Sequence, residues 1–282
     1  MTIHPIPASY LTPCDAPGRV ERVDYVTTDA LRQDKYALVY LPHSYDENRA
    51  YDALYLIHGG GGSPESFFSK EFLAMLDHMI ASGQLKPLIV VSPTYYRPDE
   101  TDKTPDSSGR AVAIFARELK ADIIPAVERR FHTFAETTDP AGQRASRDHR
   151  AIAGFSMGSV TCWYAFLDAL DAFRWFMPLS GDCWLYGQLG GSSHSEETAR
   201  ALAEAVGRQG FTPADFRIHA ITGTKDIAYP NETAQIDAMR AWPEVFRFGD
   251  NIDYDTLEGG VHDYANIHRY IYNALPAFFA GA

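Results

Sequence analysis

A serine set between glycines is the first residue of this chain with the surroundings of a nucleophile. Gly154-Phe155-Ser156-Met157-Gly158 fits the pattern G-x-S-x-G, a tight strand-to-helix turn that lifts a serine oxygen clear of a sheet edge while the glycines admit close backbone neighbours. Such a pentapeptide arises by chance in about one chain in ten of this length, so its setting decides its meaning. RAIAG before it reads as a buried strand and the residues after Ser156 as a helix, which is the setting the turn requires. His58-Gly59-Gly60-Gly61-Gly62 ends a second short apolar run, Ala53 to His58, and puts backbone N–H groups where an oxyanion could be received.

A serine becomes a nucleophile only with a base in reach and an acid that orients the base. Behind a G-x-S-x-G turn these follow in the order serine, acid, histidine. Asp226, in TGTKD after the run Phe216 to Thr222, and His262, in EGGVH after Ile252 to Leu257, fill both places. Of the ten histidines, His4, His43, His78, His132, His149 and His194 fall on polar segments, His219 lies inside a strand and His268 on the closing helix. His58, at the glycine turn, reads as a structural hydrogen-bonder. Asp253, Asp255 and Asp263 compete for the acid's place, but the first two lie within a strand and the third adjoins His262, so Asp226 is preferred. The chemistry expected is acyl transfer. His262 takes the Ser156 proton as the oxygen attacks an ester carbonyl, Asp226 holds the imidazole, the N–H groups of Met157 and of Gly59 or Gly60 receive the oxyanion, and water releases the acyl group.

Residues so far apart in sequence need a scaffold that brings strand ends together. Arg19 to Thr27 and Lys35 to Leu41 read as an antiparallel opening pair, followed by strands at Ala53–His58, Pro87–Ser92, Arg150–Gly154, Trp175–Leu179, Phe216–Thr222 and Ile252–Leu257. Helices are expected from Ser63-Pro64-Glu65 through Met79, over Ala111–Phe131 with a kink at Pro125, and over Ser156–Leu170, Glu196–Gln209, Asn231–Trp242 and Tyr264–Phe279. Residues 93–109, 132–148 and 180–194 read as loops. The alternation predicts an α/β fold, a mostly parallel central sheet with helices on both faces, in a single domain over 1–282 whose first 18 residues or so are irregular. In such sheets ligands bind beyond the carboxyl ends of the strands, where all three candidate residues fall.

Composition narrows the partners. Twenty-five Lys and Arg against 37 Asp and Glu give the 282-residue chain a net charge of −12, which repels nucleic acid and anionic membranes on average. Cys14, Cys162 and Cys183 form no metal-binding spacing and read as thiols, a Cys162–Cys183 bridge being the one pairing left open; no metal and no cofactor are expected. Neither a basic, apolar leader nor a run of about 18 apolar residues occurs, so as written the expected location is the cytoplasm, or outside the cell if a leader has been removed.

LYLIHGGGG, KPLIVVSP, HRAIAGFSMG, GTKD and EGGVHDY, in that order across about residues 50 to 280, resemble the Putative esterase family of α/β hydrolases. Within it the likeness is to bacterial feruloyl esterases of the xylan-degrading kind, carbohydrate esterase family 1, and the family is also similar to S-formylglutathione hydrolases and mycolyltransferases. The resemblance implies an α/β-hydrolase fold, Ser156 as nucleophile, Asp226 as acid, His262 as base and Met157 with Gly60 as oxyanion donors. It further implies release of ferulate or a related hydroxycinnamate from arabinoxylan, the partner being a feruloylated oligosaccharide or a small aromatic ester. Ser159, where many relatives carry another glycine, argues against the formylglutathione branch, and the 132–148 and 181–194 loops depart from the family's usual pattern.

An aromatic acyl group wants a concave apolar site. Trp184, Tyr95, Tyr96 and Phe155 are the expected substrate-binding residues, with Tyr186 and Trp163 nearby, and Trp184 ranks first. The alternatives are an acetyl-type carbohydrate esterase or a formylglutathione-like thioesterase on the same triad, and, from another class, an inactive polysaccharide-binding protein.

Overall fold

The alternating patterns resolve into one eight-stranded sheet in the computed structural model, which describes residues 1–280. The strands are β1 (Arg19–Val26), β2 (Asp34–Leu41), β3 (Asp52–Ile57), β4 (Leu88–Ser92), β5 (Arg150–Phe155), β6 (Trp175–Leu179), β7 (Arg217–Gly223) and β8 (Ile252–Leu257), in the spatial order β1-β2-β4-β3-β5-β6-β7-β8. β1 pairs with β2 and β2 with β4 antiparallel; every pairing from β4 onward is parallel. The helices are α1 (Lys70–Ala81), α2 (Pro105–Glu118), α3 (Ile124–Glu128), α4 (Pro140–Ala145), α5 (Met157–Asp168), α6 (Gly190–Ser193), α7 (Ser195–Arg208), α8 (Tyr229–Met239) and α9 (Tyr264–Ala274). This is the α/β-hydrolase arrangement, with the antiparallel opening the sequence predicts.

Strands buried on both faces lose the polar alternation of a half-exposed strand and read as continuous apolar runs. All six residues of β3 are buried; Ala53, Tyr55 and Ile57 join the core under α2, α5 and α7, while Leu54 and Leu56 join the core under α1 and α9. α5 has eleven of its twelve residues buried because α2 and α7 cover the side it turns away from the sheet, so it is apolar almost all round. β3 and β6 flank β5, with Ile57 opposite Gly154 and Leu179 opposite Phe155. The glycine turn after β3 and the loop after β6 therefore emerge on either side of the serine turn after β5.

Several helix boundaries differ from expectation. Ser63 caps only a 3-10 turn, Pro64–Ser66, and α1 starts separately under a second cap, Ser69, whose hydroxyl accepts from Phe72 N. The 93–109 stretch is not all loop: Thr104-Pro105-Asp106 supplies a cap, a proline and a first-turn acid, and α2 begins there. The kink expected at Pro125 is a π turn, Leu119–Ile123, ahead of it. Pro125 has no N–H to give, and the carbonyl of Lys120 instead accepts from the Gln143 side chain at 2.8 Å. Gln143 belongs to α4, inside the stretch read as a loop. The first 18 residues hold a single 3-10 turn, Ala8–Leu11. All three cysteines are free thiols, so the Cys162–Cys183 bridge is absent.

Candidate active site

Ser156 occupies the turn between β5 and α5 at φ 56°, ψ −114°, a left-handed conformation that costs a non-glycine residue energy and is held by its surroundings. The motif's glycines are needed because nothing larger fits: a Cβ on Gly154 would lie 2.3 Å from the Gly158 carbonyl oxygen, and one on Gly158 would lie 2.0 Å from the Ile57 carbonyl oxygen. Backbone of the serine turn is thus pressed against the end of β3.

The structure brings the three expected residues into one hydrogen-bonded line. His262 Nε2 stands 3.0 Å from Ser156 Oγ, and His262 Nδ1 stands 2.7 Å from Asp226 Oδ1. A carboxylate can only accept, so Nδ1 carries the proton and Nε2 is left to accept from the serine hydroxyl. The loops carrying acid and base are locked together: Lys225 N donates to the Gly260 carbonyl at 3.0 Å, and a Cβ on Gly223 would sit 2.2 Å from that same oxygen. Asp226 is buried and its Oδ1 also accepts from Ala228 N at 2.8 Å, which aims the carboxylate. The rival carboxylates are otherwise engaged. Asp253 pairs with Arg217, Asp255 with His219, and Asp263 caps α9 by accepting from Asn266 N.

Behind Asp226, Glu232 of α8 is wholly buried and accepts from Gly181 N at 3.2 Å. Burial, and then the neighbouring charge of Asp226, push its carboxyl well above the usual carboxylate range. Nothing in the sequence singled it out; a buried acid is indistinguishable there from a polar helix residue.

The glycine turn is fixed by an aromatic cage. His58 is buried, its Nδ1 2.8 Å from the Gly59 carbonyl and its Nε2 2.8 Å from Thr94 Oγ1, and burial drops its pKa to about 4, leaving it neutral. Tyr95 Oη donates to the Gly59 carbonyl at 2.9 Å, and Gly61 N donates to Tyr96 Oη at 2.9 Å. Gly59 N donates to Tyr264 Oη at 3.3 Å, so of the two glycines considered it is Gly60 whose N–H, with that of Met157, has no partner among the described residues. Gly60 packs against the Met157 side chain, 3.3 Å from Cγ at its would-be Cβ. Two donors beside one nucleophile form the geometry that can receive an oxyanion.

Ser156, His262, Gly60 and Met157 open onto a cavity of about 270 Å³. Trp184, Val160, Leu189 and Ile227 give it apolar walls, while Asp182 and Asn231 supply polar groups. Trp184 is therefore where the sequence predicts. Tyr95, Tyr96 and Phe155 are not: the two tyrosines lie buried behind the glycine turn, and Phe155 packs under the His262 ring at 4.6 Å between centroids. Their side chains support the glycine turn and the His262 ring instead, because the strand-end position that a sequence reveals does not tell which way a side chain turns. Tyr186 and Trp163 also lie outside the lining; the Trp163 indole donates to the Gly181 carbonyl at 2.9 Å. Lys103 enters the lining from just before α2 and lies 4.6 Å over the Tyr96 ring. Among the described residues no group of three or more His, Cys, Asp or Glu could hold a metal ion, and no helix is long and apolar enough to cross a membrane.

Comparison with known proteins places the chain among relatives. A family model described as "Putative esterase" matches residues 28–278. Endo-1,4-beta-xylanase Y of Acetivibrio thermocellus is 39% identical over 282 residues, covering 98% of this chain and 24% of the relative. The chain spans about a quarter of the length of the curated relatives it matches. A solved feruloyl esterase module from Clostridium thermocellum, complexed with sinapinate, is 38% identical with a TM-score of 0.88, covering 99% of this chain and 94% of that one. A ferulic acid esterase from Anaeromyces mucronatus, at 21% identity and a TM-score of 0.71 over 97% of this chain and 96% of that one, shares the fold.

Proposed function

The chain belongs to the Putative esterase family, and from that premise we propose that it is a serine carboxylic-ester hydrolase acting on hydroxycinnamate esters, releasing ferulate or a close relative from feruloylated arabinoxylan. The observation that carries the reading is the Ser156–His262–Asp226 line opening onto an apolar, tryptophan-walled cavity. The 38%-identical module solved with sinapinate, itself a hydroxycinnamate, supports the choice of acyl group.

In this reading Ser156 Oγ gives its proton to His262 Nε2 as it attacks the ester carbonyl, and the imidazolium so formed is stabilised by the buried Asp226 carboxylate. The carbonyl oxygen swings toward the N–H groups of Gly60 and Met157, each worth about 3 kcal/mol to the tetrahedral intermediate. His262 then returns the proton to the leaving alcohol, and water repeats the sequence on the acyl-enzyme. The aromatic ring of the acyl group lies along Trp184, with Val160 and Leu189 excluding water around it.

The test is kcat/KM of the purified protein on methyl ferulate, methyl p-coumarate, an aryl acetate and S-formylglutathione. The reading expects the two hydroxycinnamates to lead by about tenfold or more, since an aromatic ring moved from water to an apolar wall contributes more than 1.4 kcal/mol. A preference for the acetate would turn the assignment to an acetyl-type esterase, and a preference for the thioester to the formylglutathione branch. Turnover of none would favour a binding protein.

A further inference from the structure

Trp184 lines two neighbouring cavities. Beyond the catalytic cavity, a second one of about 290 Å³ lies against α2, and Pro105, Trp184 and Gln188 line both. Its other walls include Tyr164 from α5 and Asp106, Arg110 and Ala113 from α2. The partition is built into the fold. Gly109 of α2 lets the indole lie on the helix, its would-be Cβ 3.3 Å from Trp184 Cε3, while Trp184 Nε1 donates to Asp182 Oδ1 at 3.2 Å and Tyr164 Oη donates to the Trp184 carbonyl at 3.0 Å.

The chemistry of the second cavity differs from that of the first. It holds a carboxylate (Asp106), a guanidinium (Arg110) and a carboxamide (Gln188), all three on solvent-exposed residues at its rim and free to bond a ligand. Both donors and acceptors are thus presented around aromatic rings. That combination suits a ligand with hydroxyl groups around its edge and C–H groups on its face; a second hydroxycinnamate ring would leave most of these polar groups unused.

We infer that this second cavity is a carbohydrate subsite, holding one sugar unit of the polysaccharide whose neighbouring unit carries the ester cleaved at Ser156. The inference rests on the reading of the substrate as an aromatic ester of a carbohydrate. Asp106 and Arg110 act as acceptor and donor to sugar hydroxyls, and Trp184 divides acyl group from glycan, so that an ester on an oligosaccharide is held at two places and a methyl ester at one.

The experiment compares methyl ferulate with a feruloylated arabinoxylo-oligosaccharide in the wild type, the double variant Asp106→Ala/Arg110→Ala, and Ala113→Phe, which fills the cavity without touching its polar groups. None of these residues lines the catalytic cavity. Both variants should keep kcat/KM on methyl ferulate within about twofold of wild type, while kcat/KM on the oligosaccharide ester falls about 5- to 30-fold, mainly through KM, as expected for one or two lost hydrogen bonds. Variants that treat the two esters alike, whether by losing both or losing neither, would overturn the subsite, while turnover of methyl ferulate by the wild type would leave the esterase reading standing. A wild type that cleaves neither ester would instead remove the functional reading itself, and the subsite with it.

Discussion

Tyr96 stands behind the glycine turn, holding Gly61 N through its hydroxyl, and that placement separates rate from affinity. A residue that aligns oxyanion donors matters when charge develops on the carbonyl oxygen, not when the ester first binds. Tyr96→Phe should therefore lower kcat by about 3- to 10-fold, the worth of a single hydrogen bond, with KM within about twofold; a rise in KM at constant kcat in steady-state kinetics on methyl ferulate would place the ring against substrate instead. Glu232 yields a second prediction. Because its folded-state pKa is raised, the stability of the neutral form is present at low pH and is lost as pH rises above the unfolded carboxylate value near 4.5. Glu232→Gln removes that loss and keeps an acceptor for Gly181 N. It should keep kcat within about threefold and raise the melting temperature by about 2–4 °C or more at pH 8, less at pH 5, a gain of order 1 kcal/mol; a lower melting temperature at pH 8 in a thermal scan would mean that the carboxyl is charged. Ser156, Asp226 and His262 were legible in the sequence because each follows a strand at a glycine-marked turn. Glu232 and Tyr264 were not, since their place depends on how α8 and α9 dock, and Tyr95 and Tyr96 were misassigned because a loop's position leaves the direction of its side chains open.

At the level of elements, glycines distinguish a packing requirement from a tolerated residue. Gly158 and Gly207 are both helical, in α5 and α7, yet a Cβ on the first meets the Ile57 carbonyl at 2.0 Å and a Cβ on the second meets nothing within 4 Å. Gly207→Ala should stabilise by about 0.5–1 kcal/mol through helix propensity alone, whereas Gly158→Ala should force β3 and α5 apart and abolish soluble expression or lower the melting temperature sharply. Equal melting temperatures for the two variants would refute the close approach of β3 to the serine turn. Strands β3 to β7 were readable as apolar runs because both faces are buried, β8 is a partly exposed edge strand that interleaves Ile252, Tyr254 and Leu257 with polar residues, and the order of elements follows from their alternation. The π turn before Pro125 was not readable, because a proline in a helical pattern fits a kink, a break or a bulge equally well. The start of α2 was written in Thr104-Pro105-Asp106 but obscured by the polar residues around it.

Across the whole molecule, acid stability is set in part by histidines buried neutral. Burial drops both His58 and His268 to a pKa of about 4, against about 6.5 in an unfolded chain. Between those values the unfolded state binds more protons than the folded one, so each ring makes folding less favourable as pH falls from about 6.5 to 4, by on the order of 3 kcal/mol when complete. His268 packs among Phe67, Phe72 and Tyr264 with its Nε2 unpartnered. His268→Leu should accordingly gain stability over wild type as pH falls through that window in urea unfolding, and a difference independent of pH would contradict the buried neutral imidazole. Cleavage of hydroxycinnamate esters by a serine nucleophile is checked by the rate of methyl ferulate hydrolysis by wild type and Ser156→Ala at neutral pH. The wild type should turn the ester over readily, and the variant, with its fold intact, should be slower by at least about 1,000-fold. Turnover that survives the substitution, or a wild type inert toward methyl ferulate, would contradict a serine nucleophile cleaving these esters.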